Sequence, residues 1–217
     1  MRSIMVLNAK GGSGKSTIAT NLASYYASCG HKVMLADFDP QHSSLDWLAA
    51  RAQGRPTITG MDASGGAFRA PRNIDYTIYD TPAAVRGKEL NALLRRAQSI
   101  IVPVLPSPID MRAATEFIRQ ILANGRVSRK ETRVALVANR CRENTNVYHQ
   151  LESFLSKVRK APFISVLRET QNYNRAADRG LGIFELPPYL SARDLDQWQP
   201  IIQWLDSRRS QPIKRRG

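Results

Sequence analysis

Near the start of the chain the run Ala9-Lys10-Gly11-Gly12-Ser13-Gly14-Lys15-Ser16-Thr17 gathers three glycines, two lysines and three hydroxyls. Glycines let a backbone wrap closely round a phosphate, with successive N–H groups pointing inward at a helix N-terminus. Lys15 is placed to reach terminal phosphates and the Ser16 hydroxyl to ligate Mg²⁺. The general phosphate-loop pattern has a glycine five residues before Gly14, where this chain carries Ala9. A strand before the run and a helix after it supply the context that the mechanism needs.

Carboxylates recur at the ends of apolar runs. Leu35-Ala36 leads into Asp37-Phe38-Asp39-Pro40, and Ile78-Tyr79 into Asp80-Thr81-Pro82. Aspartates at i and i+2 on the carboxyl end of a parallel strand stand where such sheets bind ligands. By residue type alone, Asp37 and Asp39 also read as a polar strand end with a cap before Pro40. A further run, Val134 to Ala138, ends in Asn139-Arg140, where a plain helix cap is the rival reading of Asn139.

Positioning these groups requires strands and helices in alternation. Ile4–Leu7, Val33–Ala36, Tyr76–Tyr79, Ile100–Val104, Val134–Val137 and, more weakly, Phe163–Val166 have the length and composition of buried strands. Helical spacing predicts helices over Ser16–Ser28, Leu45–Arg51, Glu89–Ala97, Met111–Ala123, Val147–Val158, Asn172–Arg179 and Leu195–Arg208. Residues 52–73 are rich in Gly, Pro and Ser and read as irregular, with one weak strand over Thr57–Met61. So regular an alternation implies right-handed crossovers. The expected fold is α/β: a single-domain, mostly parallel twisted sheet with helices on both faces, spanning residues 1–205. A basic C-terminal tail, 206–217, follows.

Composition narrows the setting. The 217 residues are 42% hydrophobic and 23% charged, enough for one sizeable core. Cys29 and Cys141 are too few for a disulfide framework and fit a reducing compartment. The chain start lacks the apolar segment of a signal peptide, and no apolar run approaches a membrane span. The expectation is a cytoplasmic protein. Lys and Arg number 32 against 18 Asp and Glu, giving a formal charge of +14. Little of this lies in the first fifty residues. Eight basic residues fall between Arg112 and Arg142, and more in Arg208-Arg209 and Lys214-Arg215-Arg216. Such an excess suits a polyanion, and counterion release lets it bind duplex DNA without reading sequence. The basic residues are not interleaved with aromatics along the chain, which disfavours single-strand stacking.

Lys10-Gly11-Gly12-Ser13-Gly14-Lys15-Ser16-Thr17, taken with Asp37-Phe38-Asp39-Pro40-Gln41 and Asp80-Thr81-Pro82, resembles the deviant Walker A motif and switch segments of the ParA/MinD family of dimerising ATPases. The resemblance runs from Ser3 to about Leu205 and takes in Gln171-Asn172-Tyr173-Asn174 and Gly180-Leu181-Gly182-Ile183-Phe184-Glu185. It implies a phosphate-loop NTPase with ATP and Mg²⁺ as cofactors. Residues 10–17 would cradle the phosphates, and Lys10 would cross a homodimer interface to the partner's nucleotide. A second cation there stabilises charge in the transition state, as an arginine finger does. Asp39 would orient the attacking water, Asp80 would hold the metal through water, and Asp37 would support it from behind. Asn139 would read adenine, and Pro187 would shape a loop against the base. No guanine-reading Asn-Lys-x-Asp stretch occurs, which favours ATP over GTP.

With the phosphate loop opening at residue 9, the resemblance is to the small type without an N-terminal DNA-reading domain. It implies a timer. ATP closes a dimer on non-specific nucleoid DNA through basic residues, for which Arg208, Arg209, Lys214, Arg215 and Arg216 are the candidates. A ParB-like or cargo-adaptor partner stimulates hydrolysis, and the cycle moves a plasmid, chromosomal or protein cargo such as a carboxysome. A MinD-like membrane-surface ATPase is the alternative, and it ranks second because residues 207–217 hold one large apolar side chain, Ile213, among five basic ones.

Overall fold

Alternate residues of a strand face opposite ways, and in this sheet both ways lead into apolar core. Ile4 and Val6 pack on one face, while Met5 and Leu7 pack on the other. Ala135 and Val137 oppose Val134, Leu136 and Ala138 in the same manner. Strands covered on both sides must be apolar throughout, which is why they stand out as short continuous hydrophobic runs. The structure, a computed structural model, describes residues 1–65 and 69–213.

The strands are β1 (Arg2–Val6), β2 (Val33–Asp37), β3 (Ile58–Asp62), β4 (Tyr76–Asp80), β5 (Ser99–Val104), β6 (Arg133–Cys141) and β7 (Phe163–Arg168). They form one sheet in the order β3-β2-β4-β1-β5-β6-β7, with every pairing parallel. The helices are α1 (Lys15–Ser28), α2 (Ser43–Ala49), α3 (Gly87–Arg96), α4 (Pro108–Ala123), α5 (Gly125–Ser128), α6 (Asn146–Ser156), α7 (Asn172–Ala177) and α8 (Pro188–Asp206). α3, α4 and α6 cover one face, and α1 and α8 cover the other. The chain leaves β1 toward β2 and β3, then crosses back after β4 toward β5, β6 and β7. Direction therefore reverses at β1, so the crevice beyond its carboxyl end is where an open α/β sheet binds its ligand.

This is the α/β fold expected, with four differences of detail. α4 begins at Pro108 rather than Met111, because Ser107 caps it, its Oγ accepting from Asp110 N at 3.1 Å, and proline suits the first helical position. α8 begins at Pro188, with proline again at the first helical position but without a side-chain cap, and passes through Pro200 without ending. β6 does not stop at Ala138. Its ladder skips Asn139 and Arg140 in a bulge, with Arg140 at φ 53°, and resumes at Cys141 opposite Arg168. The short α5 was not expected.

Two polar knots brace the elements that carry the site. The Arg51 guanidinium, following α2, makes paired 2.8 Å bonds to both oxygens of Glu185 and a third to Gly180 O, in a place where both side chains are 5% exposed. Burial raises the Glu185 carboxyl's pKa, but the bonds from Arg51 and the Gly182 N–H outweigh that and leave it below the usual carboxylate range. At the other end of the sheet, Arg2 donates to Ser99 Oγ, Leu205 O, Ser210 O and Ser210 Oγ at 2.6–3.3 Å. Ser207–Ser210 is thereby drawn against the amino ends of the strands, and Ile213 N bonds Lys130 O.

Candidate functional site

β1 ends in Leu7-Asn8, and Asn8 Nδ2 bonds Pro103 O at 2.7 Å, tying the start of the loop to β5. The backbone then rises through Gly12 (φ 72°) and Gly14 (φ 86°) before entering α1 at Lys15. Left-handed backbone at these two positions turns the intervening N–H groups inward, and only glycine adopts it without strain. A Cβ on Gly14 would also run into Asn139 Nδ2, which donates to Ser13 O at 2.8 Å. The side chain expected to read a base thus also pins the phosphate loop to β6.

Beyond the loop lies a cavity of about 1030 Å³. Gly11, Gly12, Gly14, Lys15, Ser16 and Thr17 form one wall, with Asp39 and Asn139 also on the lining. Arg140, Arg142, Arg168, Glu169, Thr170, Gln171, Tyr173 and Asn174 form the far wall, of which the sequence marks Arg140 and the Gln171–Asn174 stretch but not Arg142, Arg168, Glu169 or Thr170. Its arginines close two ion pairs on Glu169, from Arg142 at 2.6 Å and Arg140 at 3.6 Å. The signal available was the end of β7, a strand too weakly patterned to stand out. Pro187 lies outside the cavity lining, at the N-cap of α8.

The charged groups divide by environment. Lys15 is 7% exposed, and its Nζ donates to Lys10 O at 3.2 Å. Burial lowers its pKa, partly offset by the charges of Asp80 and Asp39. Asp37 is fully buried, with both oxygens engaged. Oδ1 accepts from Asp39 N at 2.9 Å, and Oδ2 from Ser44 Oγ at 2.7 Å and Ser44 N at 3.1 Å. It therefore shapes the turn that presents Asp39 and caps α2. Asp39 is half-buried on the cavity wall.

Asp80 differs from both. It is fully buried, and neither carboxylate oxygen has a hydrogen-bond partner. Burial pushes its pKa up to about 7, the nearby Asp37 adds to the rise, and Ser16, Lys15 and Ser44 pull against it. An orphaned carboxylate beside a serine hydroxyl and the phosphate loop fits a hydrated divalent cation, which would supply the missing partner. Ionising Asp80 costs the folded chain more than the unfolded one. Its contribution to stability is therefore full below the ordinary aspartate pKa of 3.8 and is lost as pH rises toward 7. Asp80→Asn is expected to raise the melting temperature of the ligand-free protein by about 5 °C or more at pH 8 and to leave it nearly unchanged only below about pH 3.8. The same variant should lose the stabilisation that Mg²⁺ with nucleotide gives the wild type. A melt at pH 8 no higher than wild type would refute this account.

Lys10 lies outside the cavity lining, with its side chain 39% exposed, and its Nζ lies 2.6 Å from Asp110 Oδ1 on α4. Arg208 and Arg209 lie at the far end of the molecule, where Arg209 O accepts from Arg133 Nε at the start of β6. Lys214, Arg215 and Arg216 lie outside the described residues.

A glycine cradle at a helix N-terminus, an inward lysine and an orphaned carboxylate at a sheet switch point define a phosphate-loop nucleotide-binding protein. The chain belongs to the CobQ/CobB/MinD/ParA nucleotide binding domain family, whose model matches residues 4–183. It is 26% identical to the maintenance of carboxysome distribution protein A of Halothiobacillus neapolitanus over 84% of this chain and 87% of that one. It is 47% identical to the chromosome-partitioning ATPase Soj of Thermus thermophilus, over 48% of this chain and 55% of that one. A solved ATP complex of Cyanothece McdA superposes with a TM-score of 0.69 and 17% identity, covering 93% of this chain and 96% of that one. None of the described helices is long and apolar enough to cross a membrane.

Proposed function

We propose that this chain is an ATP-driven positioning ATPase in which nucleotide state controls a homodimer and the dimer's grip on DNA. The observation that carries the reading is the division of labour between the two lysines: Lys15 is buried and lines the cavity, while Lys10, five residues earlier, lies outside that lining with its side chain 39% exposed. One subunit's loop has use for Lys15 alone. A part-exposed lysine outside its own cavity is available to a triphosphate on a facing copy, where it offsets charge that the closed dimer would otherwise bury.

Within one subunit, the loop N–H groups and Lys15 would bind the phosphates, and Ser16 and Asp80 would hold a hydrated Mg²⁺. The cation, when bound, screens phosphate charge and polarises the transferred group. Asp39, held by the Asp37 turn, orients water at the cavity wall. Asn139 faces the nucleotide from β6 while fastening Ser13. Among the described residues no arginine belongs to the phosphate loop, and Arg140 and Arg142 on the cavity lining are paired with Glu169, so turnover is slow until a cargo-borne adaptor stimulates it. The net charge of +14 supports a duplex DNA partner. Similarity to the Halothiobacillus carboxysome distribution protein over most of both chains supports a protein or DNA cargo that is distributed along the nucleoid.

The test is a DNA mobility shift with ATP, ADP or no nucleotide, at two salt concentrations. The expected result is a shift with ATP alone, weakened steeply by salt. Equal binding in all three would refute nucleotide gating. Asp39→Ala should then hold the protein on DNA in the presence of ATP. If it releases as fast as the wild type, hydrolysis is not the timer.

A further inference from the structure

We infer that Asp110 is a positioning residue for Lys10, holding it within its own subunit until a second subunit with bound nucleotide competes for it. The inference rests on the reading of Lys10 given above and adds what restrains that lysine before the dimer forms. The contact is an ion pair with Nζ–Oδ1 of 2.6 Å. Its two ends are unlike. The Asp110 side chain is 11% exposed and rigidly set, since Oδ2 bonds the Ser107 hydroxyl and the backbone N–H is spent on the same Ser107 Oγ. Pro106 and Pro108 stiffen the backbone on either side of Ser107. Lys10 sits on a flexible stem at a loop held from below, by its own N–H to Asn8 Oδ1 at 3.3 Å and by Asn8 to Pro103 at the end of β5. The parallel pairing of β1 with β5 thus brings the first turn of α4 beside the start of the phosphate loop.

The carboxylate is fixed and the ammonium is mobile, so Lys10 is the partner that leaves. A facing triphosphate carries more negative charge than one carboxylate and takes the lysine. A diphosphate, which lacks the terminal group, offers less and leaves it with Asp110. Asp110 therefore sharpens the distinction between the two nucleotides, at some cost to dimer affinity. A half-exposed ion pair is worth a factor of about 2–5 in population, and a dimer must release two of them.

The experiment measures dimer dissociation constants by sedimentation, with Mg²⁺ and ATP, for the full chain and four variants. Asp110→Asn, which keeps shape and removes charge, should tighten the dimer about tenfold. Asp110→Glu, which keeps charge, should stay within about twofold of wild type. Lys10→Ala should weaken the dimer, and adding Asp110→Asn to it should change nothing further, because Asp110 acts only through Lys10. If Lys10→Ala weakens the dimer but Asp110→Asn does not tighten it, or tightens it equally without Lys10, the restraint is refuted and the role of Lys10 stands. If Lys10→Ala dimerises as the wild type does, both fall. Should Asp110→Asn melt early, acetylation rates on the wild-type monomer decide instead. Lys10 is expected to react more slowly than the exposed Lys88, and equal rates overturn the proposal.

Discussion

Gly14→Ala is expected to lower nucleotide affinity at least about 100-fold, equivalent to roughly 2.7 kcal/mol, in a titration with a fluorescent ATP analogue. Two costs combine at this position. The backbone lies at φ 86°, where a side chain is strained, and the new methyl would strike the Asn139 amide. Asn139 must then give up Ser13 O, and the loop loses the bond that fixes its curvature. Gly30→Ala separates the two effects. Gly30 sits at φ 84° in the turn after α1, with open space where its Cβ would stand. It should cost about 1 kcal/mol of stability and leave nucleotide affinity unchanged. If the two variants bind nucleotide equally well, the clash with Asn139 does not shape the loop.

Arg51→Ala should produce the largest loss of stability, about 3–5 kcal/mol, because it strands the Glu185 carboxylate in the interior. In a chain of this size that is a fall of roughly 10 °C in melting temperature. The same change removes the guanidinium from above the Trp47 ring, where it lies 5.5 Å from the centroid. Replacing both partners, as Arg51→Met with Glu185→Leu, should recover much of the loss, since the charge and its counter-charge leave together. Thermal melts of the three proteins check this. A single variant melting within about 2 °C of wild type would show that the pair is not buried in solution.

The parts of the fold legible in the sequence are those in which one local rule decides. Ile4–Leu7 and Ile100–Val104 are buried on both faces, so apolar continuity alone reveals them. The phosphate loop is legible because closely spaced glycines beside Lys15 and Ser16 serve few purposes other than a phosphate. Where tertiary contact decides, the sequence is quiet. β3 is an edge strand paired only with β2 and mostly exposed, so its residues carry little pattern. The start of α8 is masked by two prolines that usually end helices and here begin one. The role of Asp37 in holding Ser44, and that of Asn139 in holding Ser13, depend on residues seven and 126 positions away. Asp110 carries no signal in the sequence because its partner lies on another strand's loop, a hundred residues back. Nothing in the spacing of Lys10 and Asp110 announces that contact.

Arg208 and Arg209 sit at the amino ends of the strands, and the nucleotide cavity opens at the carboxyl ends. A whole sheet separates the two, so nucleotide control of a DNA grip placed there would need no structural signal relayed through the core. Pairing two subunits suffices. Two weak electrostatic footholds, once linked, act on one polymer with a high effective concentration, and avidity alone converts dimerisation into retention. Cutting either foothold, or raising salt until the screening length is shorter than the contact, would then return each subunit to fast exchange with the duplex.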